Sequence, residues 1–139
     1  MPPYLQDFPV VQFLYHKIHL PNYDVFDERR YFHSGDSIGI FNLKVNSSDY
    51  KIALQICEDL WEDEYERKIS KEIIENNPDL IIADEATSSL DSLVKKDILK
   101  LLIQLKKEFK TSLIIVSHNL NLIYSISNYV LVMNRKTIK

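Results

Sequence analysis

Glycine is almost missing from this chain. Only Gly35 and Gly39 are present among 139 residues, and none follows Gly39. A loop that cradles phosphates needs glycines so that the backbone can approach the ligand closely, and no Gly-x-x-x-x-Gly-Lys sequence occurs anywhere in the chain. Cysteine appears once, as Cys57, which excludes an intramolecular disulfide and fits a reducing compartment. No apolar run approaches the ~18 residues that cross a bilayer, so no direct membrane span is expected. A basic excess is lacking too. The net charge of −3 gives no electrostatic reason to expect nucleic acid or an anionic membrane as a partner. The start of the chain, MPPYLQDFPV, has acid and proline where a secretory signal would be basic, and the expected location is cytoplasmic. What remains is 45% apolar residues with mixed charge, enough for one compact core.

The chain is organised around residues 77–85, NPDLIIADE. A short apolar run between a proline and an acidic pair reads as a buried parallel strand. Its carboxylates, Asp84 and Glu85, would lie at the carboxyl end, where open α/β sheets place ligands. The two sides of this strand differ in charge. Residues 1–78 hold 8 Lys and Arg against 14 Asp and Glu, a net of −6, and residues 79–139 hold 9 against 6, a net of +3. The expected organisation is therefore two segments, 1–78 and 79–139.

In the first segment, residues 8–15 (FPVVQFLY) are rich in β-branched and aromatic types and predict a strand ahead of Lys17. Residues 20–23 are turn chemistry, 26–32 read as irregular, and 33–36 as a turn. Strands are expected at 38–45 and 51–57, joined by a hairpin-like turn at 46–49. In the latter strand Ile52, Leu54 and Ile56 share one face. A helix is expected over 62–76, with Tyr65, Ile69 and Ile73 one turn apart and Pro78 as its stop.

Cys57 sits at the carboxyl end of a strand. Such a cysteine is either a nucleophile, with a nearby lysine such as Lys17 lowering its pKa, or a packed thiol, since cysteine is often buried. His16, His19 and His33 offer too few ligands for a clear zinc site. Glu58, Asp59, Glu62, Asp63, Glu64 and Glu66 read as a solvated helix start, favoured by the helix dipole.

Residues 17–32 (KIHLPNYDVFDERRYF) resemble the lysine segment of the glutaminase domain of glutamine-dependent NAD synthetases, within the nitrilase or carbon–nitrogen hydrolase superfamily. Residues 56–61 (ICEDLW), 40 residues further on, resemble the nucleophile segment of the same domain. The resemblance implies an αββα sandwich that hydrolyses amides, glutamine being the implied substrate, through a Glu-Lys-Cys triad. Cys57 then matches the nucleophile, Lys17 the triad lysine and Glu28 a second glutamate beyond it. The triad's general base lies upstream of the lysine in the family. None of the 16 residues before Lys17 is glutamate, and Asp7 is the one acid there. Acylation and deacylation are therefore expected to be absent or very slow.

In the second segment, Asp91 predicts an N-cap. The clearest helix is expected over 92–110, with Leu90, Val94, Ile98, Leu101, Leu105 and Phe109 along one stripe. A strand over 112–117 ending at His118, a helix over 119–127 capped by Asn119, and a third strand over 129–133 complete a strand–helix–strand–helix–strand order, which predicts a parallel sheet. This segment resembles the C-terminal half of an ABC-transporter ATPase domain of the dipeptide, oligopeptide and nickel importer type. Residues 80–85 (LIIADE) resemble its Walker B strand and following glutamate, 88–91 (SSLD) its D-loop, and 114–118 (IIVSH) its switch-histidine strand.

That second resemblance implies ATP and Mg²⁺ as cofactors. Asp84 would hold the metal through its water shell, Glu85 would polarise the attacking water, His118 would contact the γ-phosphate, and Asp91 would work across a dimer interface. It also implies as partners the membrane subunits of a transporter, at the inner face of the membrane, or a second ATPase subunit. Without a phosphate loop the chain alone is not expected to bind ATP tightly.

The sequence thus predicts an α/β fold: an incomplete nitrilase-like αββα segment joined to a partial P-loop-NTPase-type parallel βαβ sheet. The function expected is that of a chimeric or truncated protein, not catalytically competent alone. A cysteine-dependent amide hydrolase and an ABC ATP-binding fragment are the alternatives. Asp79 to Ile82 suit either parent, which makes residues 77–85 the seam of the chain.

Overall fold

A computed structural model describes residues 13–22, 27–60, 66–85, 100, 102–104, 107, 110–134 and 137–138. It is an α/β structure. A helical turn α1 (Glu28–Tyr31) precedes strands β1 (Gly39–Val45) and β2 (Ser48–Ile56). A 3₁₀ turn (Cys57–Leu60), helix α2 (Ile69–Glu75) and strand β3 (Leu80–Asp84) follow. Residues 100, 102–104 and 107 are helical. Strand β4 (Ser112–Val116), helix α3 (Leu120–Ile126) and a small ribbon of β5 (Met133–Asn134) and β6 (Thr137–Ile138) end the described chain.

Four strands form one sheet in the order β1-β2-β3-β4. β1 and β2 are an antiparallel hairpin. Its two-residue loop starts at Asn46, which takes the left-handed conformation (φ 55°) that asparagine tolerates. β2, β3 and β4 run parallel, with Ile52 opposite Leu80 and Leu80 opposite Ser112. β3 is therefore bonded on both sides, and the boundary expected at 78/79 lies within a continuous sheet.

Alternation sorts the side chains into two faces. Ile40, Ala53, Ile81 and Leu113 form a straight row across the four strands. Ile69 and Ile73 of α2, with Ile18 and Tyr15, pack on this row. Ala83 leaves room for Leu60 and Leu102, and Cys57 and Ile115 pack against that second cluster. The helix α2 ends at Asn76, and Asn77 takes the left-handed conformation (φ 49°) that commonly closes a helix before a proline. On the opposite face Phe13 stacks on Phe41 with ring centroids 4.7 Å apart. Ile114 and Val116 there are 48% and 47% exposed. Leu43, Val45, Tyr50, Ile52 and Leu80 line an open hollow of about 710 Å³ on that face. The described residues thus supply one sheet covered on one side, half of the layering of an αββα sandwich.

Several elements differ from the sequence expectation. Residues 13–15 are not in a strand, and 8–12 lie outside the described residues. Residues 28–31, read as irregular, make one helical turn. α2 begins at Ile69; residues 66–68, expected to be helical, are not, and 62–65 lie outside the described residues. The strand expected over 129–133 does not join the sheet. Tyr129 and Leu131 are exposed, and only Met133 pairs, in the β5–β6 ribbon. β-branched and aromatic composition favours a strand only where a neighbouring strand offers its edge. Among the described residues no helix is long and apolar enough to cross a membrane.

Candidate functional site

The carboxyl end of β2 turns sharply. Cys57 follows Ile56 in the left-handed conformation (φ 48°), sparsely populated for a residue with a side chain, and opens the 3₁₀ turn. That turn buries Glu58 and Asp59 almost completely. Asp59 Oδ1 accepts hydrogen bonds from the backbone N–H groups of Ile18 (3.1 Å) and His19 (2.8 Å). Its Oδ2 accepts one from the Tyr15 hydroxyl at 2.6 Å. Burial, and then the bond to Asp59, push the Tyr15 phenol well above its ordinary pKa, so it remains a donor.

The segment thus pinned carries Lys17. Its Nζ lies 2.9 Å from Glu28 Oε2 and 3.7 Å from Glu58 Oε2. Glu28 is presented by α1, whose first N–H bonds the Pro21 carbonyl at 3.1 Å. The Lys17 carbonyl accepts from Gly35 N–H at 2.9 Å, and the Ser34 hydroxyl donates to the Ile18 carbonyl at 2.6 Å. Gly35 passes so close to His16 that a Cβ there would meet its backbone. The structure therefore brings Lys17, Glu28 and the Cys57 turn together from three separate stretches. A lysine–carboxylate cluster beside a thiol can hold the thiolate and stabilise a developing oxyanion.

The adjacent parallel strands end the same way. Glu85 follows Asp84 in the left-handed conformation (φ 48°), and its N–H bonds the Val116 carbonyl at 2.9 Å. His118 Nδ1 lies 3.0 Å from Glu85 Oε1. Asn119 caps α3, accepting from Leu122 N–H at 3.2 Å, and so sets the turn after β4 that carries His118. Asp84 is exposed at the strand end. Among the described residues no three His, Cys, Asp or Glu side chains converge as a metal site. Asp91 lies outside the described residues.

Reading Glu58 and Asp59 as part of a solvated helix start is corrected. They are buried in a 3₁₀ turn and bind the lysine arm. Tyr15 and Asp59 are the site residues that sequence reasoning missed. The available signal was an aspartate two residues past a strand-end cysteine, where helix-start composition masked it. His16 and His33 are exposed, and His19 is buried with Nδ1 3.2 Å from the Glu58 carbonyl oxygen.

No protein-family profile matches the chain. Its relatives are of two kinds. The zinc import ATP-binding protein ZnuC of Buchnera aphidicola is 35% identical over 72 residues, 52% of this chain and 30% of that protein. The oligopeptide transport ATP-binding protein OppD of Salmonella typhimurium is 46% identical over 56 residues, 40% of this chain and 17% of its own length. The glutamine-dependent NAD(+) synthetase of Thermotoga maritima is 50% identical over 48 residues, 34% of this chain and 8% of the synthetase. Among solved structures, the glutamine-dependent NAD+ synthetase of Acinetobacter baumannii superposes with a TM-score of 0.55 and 26% identity, over 75% of this chain and 18% of that one. The chain thus carries two resemblances, to NAD synthetase and to ABC ATP-binding subunits, and it spans less than a third of the length of these curated relatives.

Proposed function

We propose that the chain joins a carbon–nitrogen hydrolase segment, residues 1–78, to an ABC ATPase segment, residues 79–139, and that what it retains is the lysine–glutamate–cysteine arm of a cytoplasmic amidohydrolase acting on an amide such as glutamine. The observation that carries this reading is the convergence of Lys17 with Glu28 at 2.9 Å and with Glu58, the neighbour of Cys57, at 3.7 Å. Cys57 would attack the amide carbon while Lys17 steadies the oxyanion; the C–N bond then breaks, ammonia leaves with the thiol proton, and water hydrolyses the thioester on Cys57. The test is ammonia release from glutamine by the purified chain, with mass spectrometry for a thioester on Cys57. Slow release or an adduct, either one lost in Cys57→Ala, supports the reading. Ammonia release that survives Cys57→Ala, or neither signal at all, refutes it.

A second reading is favoured by the 3.0 Å contact between His118 and Glu85 at adjacent strand ends. There the chain is an ATPase fragment that works beside a complete ATPase subunit or on a transporter's membrane subunits. Mg²⁺-dependent ATP binding by the chain alone, or its co-purification with importer membrane subunits, would favour this second reading.

A further inference from the structure

We propose that Asp59 is the positioning residue of the Cys57 site: its carboxylate clamps the backbone on the far side of Lys17 and so sets where the lysine ammonium stands relative to the thiol. The inference rests on the amidohydrolase reading and adds a role for a side chain outside the lysine, glutamate and cysteine.

Three observations carry it. Asp59 is fully buried only two residues past Cys57, on the same 3₁₀ turn, so its position is tied to that of the thiol. The three hydrogen bonds of its carboxylate all go to the lysine arm, bracketing Lys17: the Tyr15 hydroxyl before it, and the Ile18 and His19 N–H groups after it. Those two N–H groups belong to a stretch that lies in no helix or strand, so no ladder holds them. A buried carboxylate satisfied by three donors is a stiff, charge-assisted joint.

A carboxylate serving the core alone could bond anywhere. This one spans 41 residues of sequence, from the nucleophile turn to the two residues that follow the lysine. The charged groups around the joint are Glu28 and Glu58 on Lys17, the His19 ring, whose Nδ1 is 4.0 Å from Asp59 Oδ1, and the Arg67–Glu72 pair, of which Arg67 acts on Tyr15 and Glu72 feels His19. Glu85 stands at the end of the neighbouring strand.

The test uses the fact that Cys57 is the single cysteine, so alkylation by iodoacetamide reads one site. The rate is followed against pH for the intact chain and for Lys17→Met, Asp59→Asn and Tyr15→Phe, each with its far-ultraviolet circular dichroism and melting temperature. A one-unit rise in thiol pKa lowers the thiolate fraction near neutral pH by up to roughly tenfold. Lys17→Met is expected to produce a fall of that order. Asp59→Asn is expected to move the profile at least halfway to that of Lys17→Met, and Tyr15→Phe to move it about twofold in the same direction. A purely structural role would lower the melting temperature without moving the pH midpoint. An unchanged profile in folded Asp59→Asn overturns the proposal. If Asp59→Asn fails to fold, Tyr15→Phe decides: an unchanged profile refutes it. If Lys17→Met leaves the profile unmoved, the Cys57–Lys17 pairing fails and takes this proposal with it. If Lys17→Met moves the profile and folded Asp59→Asn does not, the positioning role alone falls.

Discussion

Replacing Gly35 by alanine sets two effects of opposite sign against each other. Alanine restricts the unfolded chain, which stabilises a protein by about 0.4–1 kcal/mol where the native backbone accepts a Cβ without strain. Gly35 has no positive φ, so the backbone angle itself would accept one. The surroundings would not. An added Cβ would overlap the His16 carbonyl oxygen and lie 3.0 Å from its carbon and 3.1 Å from the His16 Cβ. The two carbonyl atoms are backbone and cannot swing aside, so the two backbone stretches must separate. Overpacking of this kind costs about 1–3 kcal/mol, and separation also strains the 2.9 Å bond from Gly35 N–H to the Lys17 carbonyl. The balance is a net loss of about 1–2 kcal/mol. With a urea slope of about 1.5 kcal/mol/M, the midpoint should fall by about 1 M. Urea unfolding followed by circular dichroism reads it directly, and an unchanged or raised midpoint in Gly35→Ala would refute the close approach of residues 16 and 35.

Two further outcomes follow from named contacts. Glu72 receives two hydrogen bonds from Arg67, Nε to Oε1 at 2.8 Å and Nη2 to Oε2 at 2.9 Å, and they hold its carboxyl below the usual value of 4.5 against the opposing effect of desolvation. A depressed folded pKa means the pair's contribution is present above 4.5 and lost as pH falls through the folded value. Both side chains are more than a third exposed, so the contribution is a few tenths of a kcal/mol after screening. The urea-midpoint gap between the parent and Glu72→Gln should be largest at pH 7 and close on acidification, and a gap that persists in acid would contradict the assignment. Asn119→Ala removes the side-chain acceptor of Leu122 N–H and should cost about 1 kcal/mol, read as a lower melting temperature; no loss would mean that α3 does not depend on its cap.

The strands were legible because their signals were local. Alternation in residues 51–56 and the apolar runs at 80–83 and 113–116 became strands, and the turn expected over 46–49 became a two-residue loop at 46–47. The stretches that misled depended on distant partners. Residues 129–132 have strand composition without a strand beside them. Glu58 and Asp59 look like a helix start until the lysine arm, some 40 residues earlier in the chain, closes over them. The helical stripe expected along Leu90, Val94, Ile98, Leu101, Leu105 and Phe109 lies outside the described residues, and Leu102, which is described, packs with Leu60 and Ala83. Lys17 and Glu28 could be named from motif resemblance, but their pairing needed the turn at Pro21 and the close pass at Gly35.

The proposed seam at residues 77–85 has a physical logic of its own. A strand ladder is made of backbone groups and is nearly blind to side chains, so β3 can bond β2 on one side and β4 on the other whatever the parentage of each. What it must match is the covered face, and two residues do that: Ile81 completes the row from Ile40 to Leu113 under α2, and Ala83 is small enough to admit Leu60 and Leu102. Once three strands run parallel in register, their carboxyl ends fall in line. Ile56, Asp84 and Val116 are paired neighbours, so Cys57, Glu85 and Ser117 each stand one residue beyond the same edge, with His118 just after. The residues that the two resemblances single out arrive at one rim because strand direction puts them there. Their proximity is therefore a consequence of topology and is not by itself a sign of shared chemistry. The contacts that distinguish the two sets are the ones that cross long stretches of sequence: Asp59 to the lysine arm and Lys17 to Glu28 on one side, His118 to Glu85 on the other. Each resemblance is therefore tested with variants of its own residues, Lys17, Glu28 and Cys57 for one and Glu85 and His118 for the other.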